Sequence, residues 1–391
     1  MKTIKLIAII VLLLFFSCKK EAYRTRLPEV KHLGIENLAT QKKITWDSIV
    51  VDMSETSLVV GWHLYSDTLY ILDRHMVPMK KLDLEGNYIE SFLKKGRGPN
   101  ELTEPFFWFT FLPEGYAGLL SGYYLLNVYD KQNQLRVKHL LFSEILDTKE
   151  GALEAQRIFD KPDPESYLMY EPQTMNYEMV FLGNNLILPV VTEHYAYNGF
   201  NKYQKARKYY RDSYLFLRLD TSNLHVAGMF GHYPQVFQES NIPNFSNSNF
   251  SVKDSLMFVS FMADPNVYVY NDKFELSFTF GVAVKNIKGN YPETKSFEEA
   301  EEVFGKHRKN YGHYKHIRAV HDYIFRMYMN DHKEWRTQVY DAKSYDLVAD
   351  FQNPNNYAYF KCLGYSNGYY YAEGAINNKT ETSVIYKFKI D

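Results

Sequence analysis

The feature that most constrains this chain is a strand unit that recurs six times. Short alternating segments end in Asp or Asn at Lys80-Lys81-Leu82-Asp83, Asn127-Val128-Tyr129-Asp130, Leu217-Arg218-Leu219-Asp220, Tyr268-Val269-Tyr270-Asn271, Gln338-Val339-Tyr340-Asp341 and Phe388-Lys389-Ile390-Asp391. Five are followed by a tight turn and another strand, such as Tyr88 to Phe92 or Leu347 to Phe351. Asp and Asn suit such turns because their side chains bond nearby backbone N–H groups and tolerate left-handed dihedrals. Upstream of each segment lies a hairpin with its turn at 66–67, 113–115, 183–185, 253–254, 321–322 or 366–368. Four strands per unit, six units and irregular spacing predict an all-β, six-bladed β-propeller with loop insertions.

The sixth unit ends at Asp391 after its third strand, while Ile44 to Val51 is a spare strand near the start. Pairing the two satisfies an open edge and closes the ring. In an up-and-down blade the connections after strands two and four share one face. All the long insertions fall there, at 96–104, 143–172, 194–211 and 284–311. One face is therefore expected to be elaborated and functional, since loops on rigid scaffolds usually carry function. The closing strand starts at the opposite, short-turn face, and the preceding segment is expected to leave from there.

Residues 1–17 read as an export signal. Lys2 and Lys5 precede an apolar run from Ile7 to Phe16 that is too short to span a bilayer. Ser17-Cys18-Lys19-Lys20 resembles a bacterial lipobox, with Phe15 where Leu is usual, and makes Cys18 the candidate lipidated residue. The expected division is signal peptide 1–17, tether 18–42 and propeller 43–391. Cys362 is the one other cysteine, so neither an intramolecular disulfide in the exported chain nor a cysteine metal site is expected. It lies in an apolar stretch and reads as a buried small hydrophobe. The net charge of -1 argues against nucleic acid as a partner. Tyr is abundant, with 34 residues, which suits both pleated sheets and binding faces.

The sharpest local motif is Lys94-Lys95-Gly96-Arg97-Gly98-Pro99-Asn100-Glu101. Its glycines and proline fix an unusual backbone path, either a link between blades or a nest of N–H groups suited to an anion. Here the chain resembles the six-bladed β-propeller lipoproteins of Bacteroidetes, which include a family of unknown function and similar length. That family carries a Gly-x-Gly-Pro-Gly-Glu-like segment after its first blade. Gly96, Gly98, Pro99 and Glu101 match it, and Asn100 replaces the third glycine. The resemblance implies fold and export; the family supplies no catalytic residue to transfer.

His307, His313, His316, His321 and His332 are spread over both predicted faces, so no metal site or other cofactor is expected. Ser296 to Asn310 reads as a capped helix with an acidic first turn. The blade-three insertion interleaves Tyr195, Tyr197, Tyr203, Tyr209 and Tyr210 with basic residues. It reads as an extended hairpin that packs on its neighbour, or as an aromatic platform for sugar or peptide. Asp73, Arg74, His75, Arg97, Glu101, Asp264, Asp331, His332 and Glu373 are placed near the axis on the elaborated face. No nucleophile elbow, P-loop or metalloprotease signature accompanies them. Asp47-Ser48-Ile49, Asp67-Thr68-Leu69 and Asp254-Ser255-Leu256 have the form of a bacterial O-glycosylation sequon.

The expectation is a monomeric, exported, lipid-anchored protein of the cell envelope, at the outer membrane. It is expected to be a binding module rather than an enzyme, taking a carbohydrate, peptide or envelope protein on the insertion-bearing face. The alternatives are a glycan-active lyase or hydrolase with a site at the axis, and a structural subunit of an envelope complex.

Overall fold

The computed structural model describes residues 24–36, 42–56, 58–73, 79–98, 101–102, 106–120, 125–143, 147–173, 178–192, 194–201 and 203–391. Six sheets form the body. Blade one is Val59–Tyr65, Thr68–Asp73, Met79–Leu82 and Tyr88–Phe92, four antiparallel strands. Blades two, four and five repeat this order, and blade three adds a two-residue strand, Glu171–Pro172. In blade six, Cys362–Ser366, Tyr369–Asn377 and Thr382–Ile390 are completed by Ile44–Asp52 from the start of the chain. Nine consecutive residues pair across that seam, from Ile44 opposite Ile390 to Asp52 opposite Thr382. The ring is closed as the strand count predicts.

The recurring Asp or Asn has a common task. The Oδ1 atom of Asp83 accepts the N–H groups of Glu85 and Asn87 at 3.0 and 2.8 Å. Asp130 does the same for Gln132 and Gln134, and Asn271 for Lys273 and Glu275. Asp341 bonds Lys343 and Ser344, while Asp220 bonds Ser222. One short side chain thus satisfies the orphan donors of the turn into the outer strand.

All four long insertions follow second or fourth strands and so share one face. Ser296 caps the helix Phe297–Asn310, its hydroxyl accepting the Glu299 N–H at 3.2 Å, as its sequence predicts. The blade-three insertion differs from expectation: Tyr203–Asp212 is a helix rather than part of an extended hairpin. Ala206, Tyr209 and Tyr210 lie three and four residues apart on one buried face, so helical spacing prevails over the strand preference of Tyr. A third helix, Lys149–Asp160, is capped by Thr148 in the blade-two insertion.

Part of the segment expected to be a tether lies against the ring. The Thr25 hydroxyl donates to the Tyr233 carbonyl at 2.6 Å, its N–H donates to Gln235 Oε1 at 2.9 Å, and Arg26 pairs with Glu165 at 2.7 Å. His32–Leu33 adds a parallel strand to the outer edge of blade four. Gly34 takes φ +74° where a Cβ would come within 2.1 Å of the Tyr345 carbonyl oxygen, a position that demands glycine. The chain then exchanges bonds with blade five through Ile35 and Leu347 before joining blade six. It forms a strap over blades three to five. Its start, beside Tyr233 and Glu165, lies among insertion-face loops, a correction to the expected exit at the short-turn face. No described helix is long and apolar enough to cross a membrane.

Candidate functional site

Two cavities stand out, one at each end of the ring. The first follows the axis, has a volume of about 320 Å³, and is lined by the innermost strand of every blade. His63, Phe109, Glu178, Ser251, Arg318 and Lys361 represent blades one to six in turn. Tyr65, Phe111, Val252 and Val320 also line it. These residues sit close to the first hairpin turns, so the cavity opens toward the short-turn face. Tyr65 stacks on Phe111 at 4.2 Å there.

Within this cavity the Arg318 guanidinium and the Lys361 ammonium both donate to one oxygen, Oε1 of Glu178. Burial alone would raise the Glu178 carboxyl, but the two cations outweigh it and hold the group well below the usual carboxylate range. Burial pushes His63 down to about 3 and His316 well below its ordinary value, so both rings are neutral near pH 7. Burial also lowers Lys361. Glu373, on the second strand of blade six, is pushed up to about 7 by burial, against the opposing pull of Lys361. Lys315 is lowered to about 8 by burial; it donates to the Ala358 carbonyl at 2.9 Å and lies over the Tyr359 ring.

The second cavity, of about 640 Å³, lies on the elaborated face where the insertions of blades three and four meet. Phe200, Tyr209, Tyr210, Tyr233, Phe297 and Phe304 make its walls. Phe200 from one insertion meets Phe297 from the other edge to face at 5.2 Å. Phe297 is 53% exposed, while Tyr209 and Tyr210 are buried and form the inner wall. Asn247 and Glu301 add polar groups.

Of the described residues predicted from sequence, the structure brings only Glu373 into the axial cluster. Asp73 is buried and accepts the Leu58 N–H at 3.2 Å. Asp264 is buried, accepts from Asn266 N–H and the Tyr268 hydroxyl, and has its carboxyl raised by burial. Asp331 accepts from the Gly312 and Lys288 N–H groups, and His332 lies on an exposed turn. Arg97 and Glu101 are exposed in their loop. Glu101 Oε2 accepts the Gly98 N–H at 2.8 Å and would lie 1.8 Å from a Cβ on Gly96. The loop's own carboxylate thus takes the Gly98 N–H, which favours the link between blades over the alternative of an anion nest. Arg74, His75 and Cys18 lie outside the described residues, as does the side chain of Tyr203.

Tyr197 is buried, with its hydroxyl 3.5 Å from Ser213 Oγ, whereas Tyr195 is 67% exposed and stacks on His194 at 4.7 Å. Among the described residues no three metal-ligating side chains cluster. His307 contacts Asn244, His313 contacts the Tyr311 carbonyl, and His321 stacks on Tyr365. Cys362 is buried as expected, and burial raises its thiol.

Sequence reasoning missed Glu178, Arg318, Lys361 and His63. The available signal was position: a charged or imidazole side chain within or beside a first strand, such as His63 in Val59–Tyr65 or Arg318 in His313–Val320, points toward the axis.

Fold and cavities together define a six-bladed β-propeller closed by its N-terminal strand and decorated on one face. In fold it is similar to a member of the DUF4221 family from Bacteroides vulgatus, with a TM-score of 0.63 and 12% identity over 90% of this chain and 99% of that one. It is also similar to a protein of Bacteroides fragilis described as a candidate exported protein, with a TM-score of 0.51 and 13% identity over 92% and 98% of the two chains. At these identities the likeness is one of fold. No protein-family model matches the sequence. No curated protein matches it either.

Proposed function

We propose that this propeller is an envelope binding module that takes a carbohydrate in the insertion-face cleft. The observation that carries the reading is the cleft of about 640 Å³ with aromatic walls, built where two insertions meet. Ligand sites are commonly concave, largely apolar and provided with a few polar groups. Partly exposed rings at Phe200 and Phe297 offer faces for sugar rings, and Asn247 and Glu301 offer partners for hydroxyls. A catalytic reading has less support, because carboxylates proposed for it are engaged by backbone N–H groups: Glu101 by Gly98, Asp264 by Asn266, and Asp331 by Gly312 and Lys288.

Lipidation at Cys18 fits this reading in a specific way. The six residues from 19 to 24 reach at most about 22 Å when extended. Thr25 is bonded to Tyr233, itself a wall of the cleft. A lipid at Cys18 therefore holds the cleft close to the bilayer, suited to glycans borne at that surface.

The test is a glycan array with a peptide array beside it, using the chain without residues 1–17 and its Phe297→Ala and Phe200→Ala variants. Glycan binding weakened about tenfold or more by either substitution supports the reading. Retention on peptides alone, or binding indifferent to both variants, overturns it.

A further inference from the structure

The axial cavity lies apart from the insertion cleft and has no part in the function proposed above. We propose that it is a second binding site, open to the short-turn face, for a small α-hydroxy or α-amino carboxylate with an apolar side group.

The first argument is the bonding of its charged groups. A structural arginine–carboxylate brace ordinarily uses two parallel N–H···O bonds. Here Arg318 and Lys361 converge on the same Glu178 oxygen, Oε1. Among the described residues Arg318 has no other hydrogen-bond acceptor, and Glu178 Oε2 has no donor. Four guanidinium N–H donors and two ammonium N–H donors therefore remain unspent. One carboxylate oxygen remains as an acceptor.

The second argument is placement. These spare groups lie in a cavity of about 320 Å³ rather than in packed core. That volume suits a small metabolite. Arg318, Lys361 and Lys315 face two carboxylates, Glu178 and Glu373, so the cations still outnumber the carboxylates and leave room for a further anionic group. The free Glu178 oxygen faces a donor on the ligand, an α-hydroxyl or α-ammonium. Phe109 and Phe111 supply an apolar wall beside the charges. His63 and His316 are neutral and do not repel either charge.

Mandelate and phenylglycine carry this pattern on one skeleton and differ only in hydroxyl against ammonium. Each is titrated calorimetrically into the full chain, with benzoate as the control that lacks the donor. Saturable one-to-one binding of either, at least several-fold tighter than benzoate, is expected. Arg318→Gln and Lys361→Met should each weaken it about tenfold or more. Glu178→Gln keeps the acceptor and removes a negative charge, so it should tighten mandelate several-fold; a purely structural triad predicts no such gain. Should the charge variants fail to fold, Val320→Phe narrows the mouth with every charge in place and should abolish binding. No saturable binding to the wild type overturns the proposal. So does binding indifferent to Val320→Phe or to the charge variants.

Discussion

Replacing Glu373 by Gln removes one titrating group from the centre of the ring while keeping its shape. The native carboxyl is pushed from 4.5 up to about 7, chiefly by burial, with Lys361 opposing and Glu178 adding to the rise. Its folded-state pKa therefore exceeds its unfolded one, and between those values the folded chain holds the proton more tightly. Stability falls as pH rises through that window, and the full penalty is present above about 7. At 1.36 kcal/mol per pH unit the displacement corresponds to about 3 kcal/mol. Glu373→Gln should thus match the wild type near pH 4.5 and exceed it by up to about 3 kcal/mol at pH 8. His63 and His316 titrate with the opposite sign, but they are common to both proteins and cancel in the difference. Urea unfolding followed by tryptophan fluorescence at several pH values measures it. A difference that does not change with pH, or one that favours the wild type at pH 8, refutes the reasoning.

Gly96→Ala places a Cβ 1.8 Å from Glu101 Oε2, an exposed side-chain end that can swing aside at the loss of its bond to the Gly98 N–H, and should cost no more than about 1 kcal/mol, measured by thermal or urea unfolding. Adding Glu101→Ala should recover part of that loss, a non-additivity that marks the contact. Arg326 is fully buried; it donates to Ser260 Oγ at 2.8 Å, to the Asp264 carbonyl at 2.6 Å and to the Pro265 carbonyl. Arg326→Met leaves those acceptors unpaired and should cost at least about 3 kcal/mol, read from the urea midpoint at unchanged slope.

The repeat was legible because its turn chemistry is local. Asp83 or Asn271 needs only the next four residues to perform its task, so the pattern survives in sequence however the blades are spaced. The seam was legible for a topological reason: a missing strand at one end and a spare one at the other have few other solutions. The helix Tyr203–Asp212 was hidden because its buried Tyr209 and Tyr210 also suit strands, and only the register of Ala206 separates the two readings. The axial cluster was harder still. Glu178, Arg318 and Lys361 lie 140 and 183 residues apart in the pairs they form, and no local signal joins them. The insertion-face residues chosen instead were polar because turns are polar, as Asp331 and His332 illustrate.

The strap of residues 24–36 changes how the ring bears load. Nine paired residues weld the closing strand into blade six, but an N-terminal pull does not meet that weld first. It must free Arg26 from Glu165 and Thr25 from Tyr233, then strip His32–Leu33 from blade four and Ile35 from blade five. These small attachments yield one after another, like stitches ahead of a seam. A molecule held by its N-terminus would shed them under tension while the six blades stayed shut, and could rebind them when the tension ceased.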